Sequence, residues 1–180
     1  MDAALTHWLN APAGSNAPLD ALALAFTSYG VPAMVLIVAL QWWAPGDRRH
    51  TRHVAVTAGL SFLAGLAINQ LVLLFVHRVR PYDAGVSHLL IPPSVDWSFP
   101  SDHATASFAI VAAFAAQAMP RRALLFLVLA LAVCWSRIYV GTHYVTDVLG
   151  GLVTAIVGAI LVRMLYRRDS RLDALLLRIF

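Results

Sequence analysis

Five apolar stretches, at residues 19–43, 54–76, 104–119, 123–140 and 145–165, dominate this chain. Each approaches or reaches the roughly 20 residues that a helix needs to cross a bilayer. The third is short, which suits a helix whose first turn packs among protein rather than lipid. Gly30, Val31 and Pro32 interrupt the first, so a surface helix followed by a kinked span is expected there. Hydrophobic residues make up 60% of the 180-residue chain, against about 45–50% in soluble domains. No polar stretch is long enough for a separate soluble domain. The expected fold is an all-α integral membrane protein, a transmembrane bundle of about five to six spans. It forms one membrane-embedded domain over residues 1–180, with an N-terminal segment (1–18) on the outer face and a cytoplasmic tail (167–180). That tail, "RRDSRLDALLLRIF", has the pattern of an amphipathic helix on the inner leaflet. The start, "MDAALTHWLNAPAGSNAPLD", lacks the basic opening of a secretory signal and is expected to be mature sequence. A single cysteine, Cys134, leaves no disulfide framework to build.

The net charge of +4 comes from 13 arginines and nine aspartates, with no lysine or glutamate. Its placement does not suit a nucleic-acid partner. Arg48, Arg49, Arg52, Arg121, Arg122, Arg163, Arg167, Arg168, Arg171 and Arg178 all fall on one side if the spans alternate. The positive-inside rule makes that side cytoplasmic, with the N-terminus outside and the C-terminus inside. Only Arg78, Arg80 and Arg137 remain for the outer face, and each sits in a polar cluster.

The first cluster is "HRVRPYD", from His77 to Asp83 at the outer end of the second stretch. Two arginines snorkelling at a helix end would account for it equally. In the second, "SFPSDHATAS", Ser101 can cap the third helix and Asp102 stands in its first turn. A capped helix with an interfacial histidine is the plainer alternative. In the third, "SRIYVGTHYVTD", His143 and Asp147 are spaced i, i+4 and would share one helix face. There a carboxylate can orient an imidazole and leave its other nitrogen as nucleophile or base; a polar pair locking two helices is the alternative. Together the clusters bring arginines, helix N–H groups, two histidines and a carboxylate to one membrane level. No zinc-like or carboxylate-rich pattern accompanies them, so no metal and no cofactor is expected. Such a set suits metal-free displacement at a phosphate ester or anhydride, with arginines holding the phosphoryl oxygens.

In order and spacing, these clusters resemble the three motifs of the type 2 phosphatidic acid phosphatase superfamily: K-x6-R-P, P-S-G-H and S-R-x5-H-x3-D. The matching residues are Arg80–Pro81, Pro100–His103 and the ungapped Ser136–Asp147, within about residues 64–151. Within the superfamily the chain looks most like small bacterial undecaprenyl-diphosphate phosphatases associated with bacitracin resistance. "NQLVLLFVHRVRPYD" and "HLLIPPSVDWSFPSDHATASFA" carry that narrower likeness. The resemblance implies His143 as the nucleophile that forms a phosphohistidine, Asp147 as its orienting group and His103 as the general acid. It implies Arg80, Ser101 and Arg137, with N–H groups of the 101–103 turn, as the phosphoryl holders. The family's lysine falls on Leu73, so Arg78, or Gln70 one turn earlier, is expected to compensate. Asp102 replaces the motif's glycine, and its carboxylate is expected to turn from the phosphate or touch a basic neighbour.

The implied activity is hydrolysis of undecaprenyl diphosphate on the outer face of a bacterial inner membrane, with the lipid substrate and membrane lipids as the partners. Phosphatidylglycerophosphate, phosphatidate and a lipid A phosphate are alternative substrates. A non-enzymatic transporter or binding protein for anionic lipid is the alternative from another class, although docking needs no oriented nucleophile.

Overall fold

The structure, a computed structural model, describes residues 1–177, and these form seven α-helices. They are α1 (Asp2–Asn10), α2 (Ala17–Leu40, continued by a 3-10 turn at Gln41–Trp43), α3 (Arg48–Leu73), α4 (Asp102–Ala116), α5 (Pro120–Tyr139), α6 (Val145–Leu165) and α7 (Arg171–Leu176). Their starts follow from local chemistry. The Asn16 side chain accepts from the Leu19 N–H at 3.2 Å and that of Asp47 from the His50 N–H at 3.0 Å, so both satisfy orphan donors. Pro120 opens α5, where its missing N–H costs nothing.

Four helices, α2, α3, α5 and α6, are long and apolar enough to cross a bilayer. Their outer faces expose Leu36, Leu63, Leu131 and Ile160, an apolar surface suited to lipid. The 15-residue α4 is the centre post, packed against α3, α5 and α6 with Ala104–Ile110 buried. Its neighbours take the place of lipid, and this is why a short helix suffices. Near its C-terminal end, Phe114 packs on Phe126 of α5 with ring centroids 4.8 Å apart. The nine-residue α1 is too short to span, so the described residues hold no sixth crossing.

Two boundaries differ from expectation. The first span is one unbroken helix through Gly30–Pro32, not a surface helix followed by a separate span. The second ends at Leu73, eight residues before Pro81, leaving Arg78 and Arg80 on an irregular segment.

Among the described residues, the arginines grouped by sidedness gather at the end of the bundle opposite α1. Arg49 pairs with Asp169 at 3.0 Å, and Arg122 reaches Thr51 at 3.4 Å; Arg178 lies outside the described residues. The tail does not simply float on a leaflet. Asp173 of α7 is fully buried, 2.8 Å from His53 Nδ1, and accepts from the Tyr166 hydroxyl at 2.5 Å. This docks α7 on α3 and α6 while Leu172 and Leu175 face outward.

Helices α3 and α6 meet through Gly65 and Gly158. A Cβ at Gly158 would stand 2.8 Å from the Gly65 nitrogen and 3.2 Å from the Ser61 carbonyl oxygen, both rigid backbone. Small residues at such crossings let the backbones close. Gly158→Val is expected to destabilise the bundle by about 1–3 kcal/mol through overpacking. Thermal unfolding in detergent checks this, and an unchanged midpoint would refute it.

Candidate active site

Five chain segments converge at the α1 end of the bundle: the end of α3, the irregular segment after it, the first turn of α4, the end of α5 and the turn into α6. They enclose a cavity of about 150 Å³ lined by Arg80, His103, Arg137 and His143, with Pro100 and Leu73 as apolar walls. The three sequence clusters therefore meet in space.

His143 precedes α6 rather than lying on it. Val145 is the first helical residue, so His143 and Asp147 do not share a helix face as their spacing suggests. Instead the His143 Nδ1 lies 2.8 Å from the Ser98 carbonyl oxygen and 3.6 Å from Asp147 Oδ2. The carbonyl can only accept, which fixes the proton on Nδ1 and turns Nε2, as the lone-pair nitrogen, toward the cavity. Burial holds this imidazole below its ordinary pKa; Arg137 and Arg80 push the same way, and Asp147 opposes them. The ring is thereby kept neutral, the form that can attack.

Asp147 is fully buried and works at one remove. Its Oδ2 accepts from the Ser98 hydroxyl and from the Tyr144 N–H at 2.8 Å. Its main-chain oxygen takes the Ser101 N–H at 3.0 Å, tying α6 to the first turn of α4. Gly151 permits that approach, because a Cβ there would stand 2.7 Å from the Ser101 carbonyl oxygen.

Arg80 and Arg137 are both buried. Arg80 donates from Nη1 to the Thr142 carbonyl at 2.9 Å and from Nη2 to Asp96 Oδ1 at 2.7 Å. Asp96 is half-exposed, and arriving phosphoryl oxygens would compete with it for the guanidinium. Arg137 donates from Nη1 to the Thr27 hydroxyl at 2.7 Å, while its Nε has no partner. Ser101 stands at the N-cap of α4 but its hydroxyl makes no capping bond; its Oγ is buried and equally unpartnered. Buried polar atoms left unpaired are costly. Arg137 lines the cavity and Ser101 lies just behind it, between the lining residues Pro100 and Asp102; an oxyanion guest beside the two guanidiniums would offer such groups a partner.

His103 lines the cavity and is hydrogen-bonded to the backbone of Thr27. Asp102 borders the same cavity, and its Oδ1 accepts from the neutral Asn69 Nδ2 at 2.7 Å rather than from a basic neighbour. Neither proposed substitute for the family's lysine reaches the cavity. Gln70 is exposed on α3. Arg78 lies behind the site, donating to Asp147 Oδ1 at 2.6 Å and to Asp2 Oδ2 at 2.5 Å, and its guanidinium stacks 3.9 Å above the Tyr144 ring. Its two carboxylates outcompete the cavity, which corrects its expected place among the phosphate-binding residues. Leu73 remains an apolar wall.

Sequence inspection missed Thr27, Asn69, Asp96, Ser98 and Asp2. Ser98 stands in the same polar stretch as Ser101, and Asn69 and Asp96 lie within the two stretches that carry the narrower likeness; nothing local marked Thr27 or Asp2. Among the described residues, no group of three or more His, Cys, Asp or Glu side chains is placed to hold a metal ion.

Residues 53–171 match the PAP2 superfamily. The chain belongs to that superfamily. This PAP2 protein is 40% identical over 144 residues to undecaprenyl-diphosphatase BcrC of Bacillus subtilis, covering 79% of this chain and 72% of the relative. It is 28% identical to YbjG of Escherichia coli K12, over 76% of this chain and 67% of the relative, whose provisional name gives the same activity. A solved structure, the transmembrane PAP2 type phosphatidylglycerolphosphate phosphatase from Bacillus subtilis, superposes with a TM-score of 0.67 at 23% identity. That superposition covers 94% of this chain and 86% of the other and shows the shared fold. The chain is thus a membrane-embedded PAP2 phosphatase, all-helical as its sequence leads one to expect.

Proposed function

We propose that this phosphatase hydrolyses undecaprenyl diphosphate to undecaprenyl phosphate and inorganic phosphate. His143 Nε2 attacks the terminal phosphorus, the bond to the bridging oxygen breaks, and His103 protonates that oxygen as it leaves. Water, deprotonated by the same His103, then breaks the P–N bond and frees phosphate. Arg80, Arg137, the Ser101 hydroxyl and main-chain N–H groups of its turn hold the phosphoryl oxygens as charge develops. The site faces the outside of a bacterial inner membrane, with the arginine-rich end and α7 in the cytoplasm.

The observation that carries the lipid substrate is the way the polar cavity continues sideways. Beside His103 and Asp102 lies an apolar cleft of about 170 Å³ walled by Val31, Phe62, Leu66 and Ala106. Phe62 also borders a second cleft of about 270 Å³, which runs on between α2 and α3 past Val35, Gly59 and Ile110. A prenyl tail lying there would leave its diphosphate at the histidines. The sequence likeness to BcrC supports the same substrate.

Phosphate release from detergent-solubilised protein in EDTA, comparing a polyprenyl diphosphate with phosphatidylglycerophosphate, tests both substrate and metal independence. The diphosphate is expected to be the better substrate, with turnover surviving EDTA and stopping with vanadate, which imitates the five-coordinate transition state. Preference for phosphatidylglycerophosphate would overturn the substrate. Loss on chelation, restored by Mg²⁺, would overturn the metal-free mechanism.

A further inference from the structure

Helix α1 is amphipathic the wrong way round for a soluble protein. Thr6 and Asn10 are 0% and 3% exposed, whereas Leu5 and Trp8 are 46% and 70% exposed. Asp2, Thr6 and Asn10 recur every four residues and so form one polar stripe. Each member grips a segment that carries the site. Asp2 accepts from the Thr146 N–H at 3.2 Å and the Thr146 hydroxyl at 2.5 Å. Thr6 Oγ1 accepts from the Val145 N–H at 3.2 Å. Asn10 donates to the Tyr139 and His88 carbonyls at 2.7 and 2.9 Å and accepts from the His88 N–H at 2.7 Å. The apolar side is left for the bilayer surface, and nine residues would not hold a helix in water unaided.

The stripe's first member reaches the chemistry through Arg78. One fork of that guanidinium holds Asp147 Oδ1 and the Thr146 hydroxyl, both at 2.6 Å, while the other holds Asp2 at 2.5 Å. A planar guanidinium gripped from both ends cannot rotate, and it fixes whatever it grips. The gripped carboxylate also receives the Ser98 hydroxyl, and the Ser98 carbonyl in turn holds His143 Nδ1.

We infer that Asp2 and Arg78 are positioning residues for the reaction: α1 clamps Arg78 onto Asp147, and Asp147 with Ser98 sets the direction of His143. The clamp touches no substrate. It rests on His143 as the attacking residue and is independent of which lipid is cleaved.

The test uses the full chain in detergent with a polyprenyl diphosphate, comparing wild type, Asp2→Ala, Asp2→Asn, Arg78→Gln and the Asp2→Ala/Arg78→Gln double variant. Arg78→Gln keeps a hydrogen-bonding amide where alanine would strand a buried carboxylate. The exposed Asp83→Asn serves as a control with unchanged turnover. Asp2→Ala is expected to lower kcat on the order of 10-fold, as loss of outer-shell partners does, with KM little changed and the unfolding midpoint kept. Asp2→Asn should recover part of that loss. On the Arg78→Gln background, Asp2→Ala should cost little more, because the two residues act in series. Normal kcat in Asp2→Ala would overturn the clamp, as would an equal loss in both backgrounds or a loss that tracks a fall in unfolding midpoint. If wild type turns over phosphatidylglycerophosphate instead, the substrate assignment fails, and the same ratios measured on that lipid still decide the clamp.

Discussion

His143→Ala should abolish turnover of every phosphate ester offered, a loss on the order of 10⁴-fold or more. The variant removes the one atom placed to attack phosphorus. In the native site Nδ1 is committed to the Ser98 carbonyl at 2.8 Å, and Nε2 alone faces the cavity. Of the other lining side chains, Arg80 and Arg137 are cationic donors, Asp96 and Asp102 are occupied by Arg80 and Asn69, and His103, held by the Thr27 backbone, is the one competing imidazole. Acid-quenched wild type should carry acid-labile label from a ³²P substrate, and the variant none. Residual turnover with label retained in His143→Ala would show that the nucleophile lies elsewhere.

His103→Ala should behave differently. General acid catalysis typically contributes about 10²–10⁴-fold, and that contribution shrinks when the leaving oxygen needs no proton. In the first step, read as single-turnover formation of labelled enzyme, the variant is therefore expected to lose most on a polyprenyl diphosphate or alkyl monophosphate and far less on p-nitrophenyl phosphate. Release of the label by water should slow alike for all three. Equal losses in the labelling step would remove His103 from the acid role. A labelled His143→Ala beside an unlabelled His103→Ala would mean that the two roles are reversed.

The spans and the histidines were legible in the sequence because both depend on short-range pattern. An apolar run of some 20 residues has few folded alternatives, and Ser136–Asp147 is one local unit, the end of α5, a five-residue connection and the first turn of α6. Arg78 misled for a related reason. Its position two residues before Arg80 suggested a shared task, yet α3 ends at Leu73, and the extended chain after it sends the two side chains to different places. What remained hidden was the supporting shell. Asp2 meets Thr146 across 144 residues, Asn10 meets Tyr139 across 129, and Thr27 meets Arg137 across 110. Nothing local marks an aspartate in an N-terminal helix as the partner of a distant arginine. Such contacts exist only once α1 and α2 have docked on α5 and α6.

The burial of α4 gives the enzyme a fixed point of reference. Helices that touch lipid tilt or shift when the bilayer thickens or thins, and α2, α3, α5 and α6 all present leucine or isoleucine to it. Helix α4 is insulated from that strain by its neighbours, and its first turn carries Ser101 and His103. The residues proposed as acid and phosphoryl cradle are thus anchored to the protein's own frame, while the walls proposed to receive the lipid tail belong to the part that moves with the membrane. A change in lipid composition would reach substrate entry first and bond cleavage last.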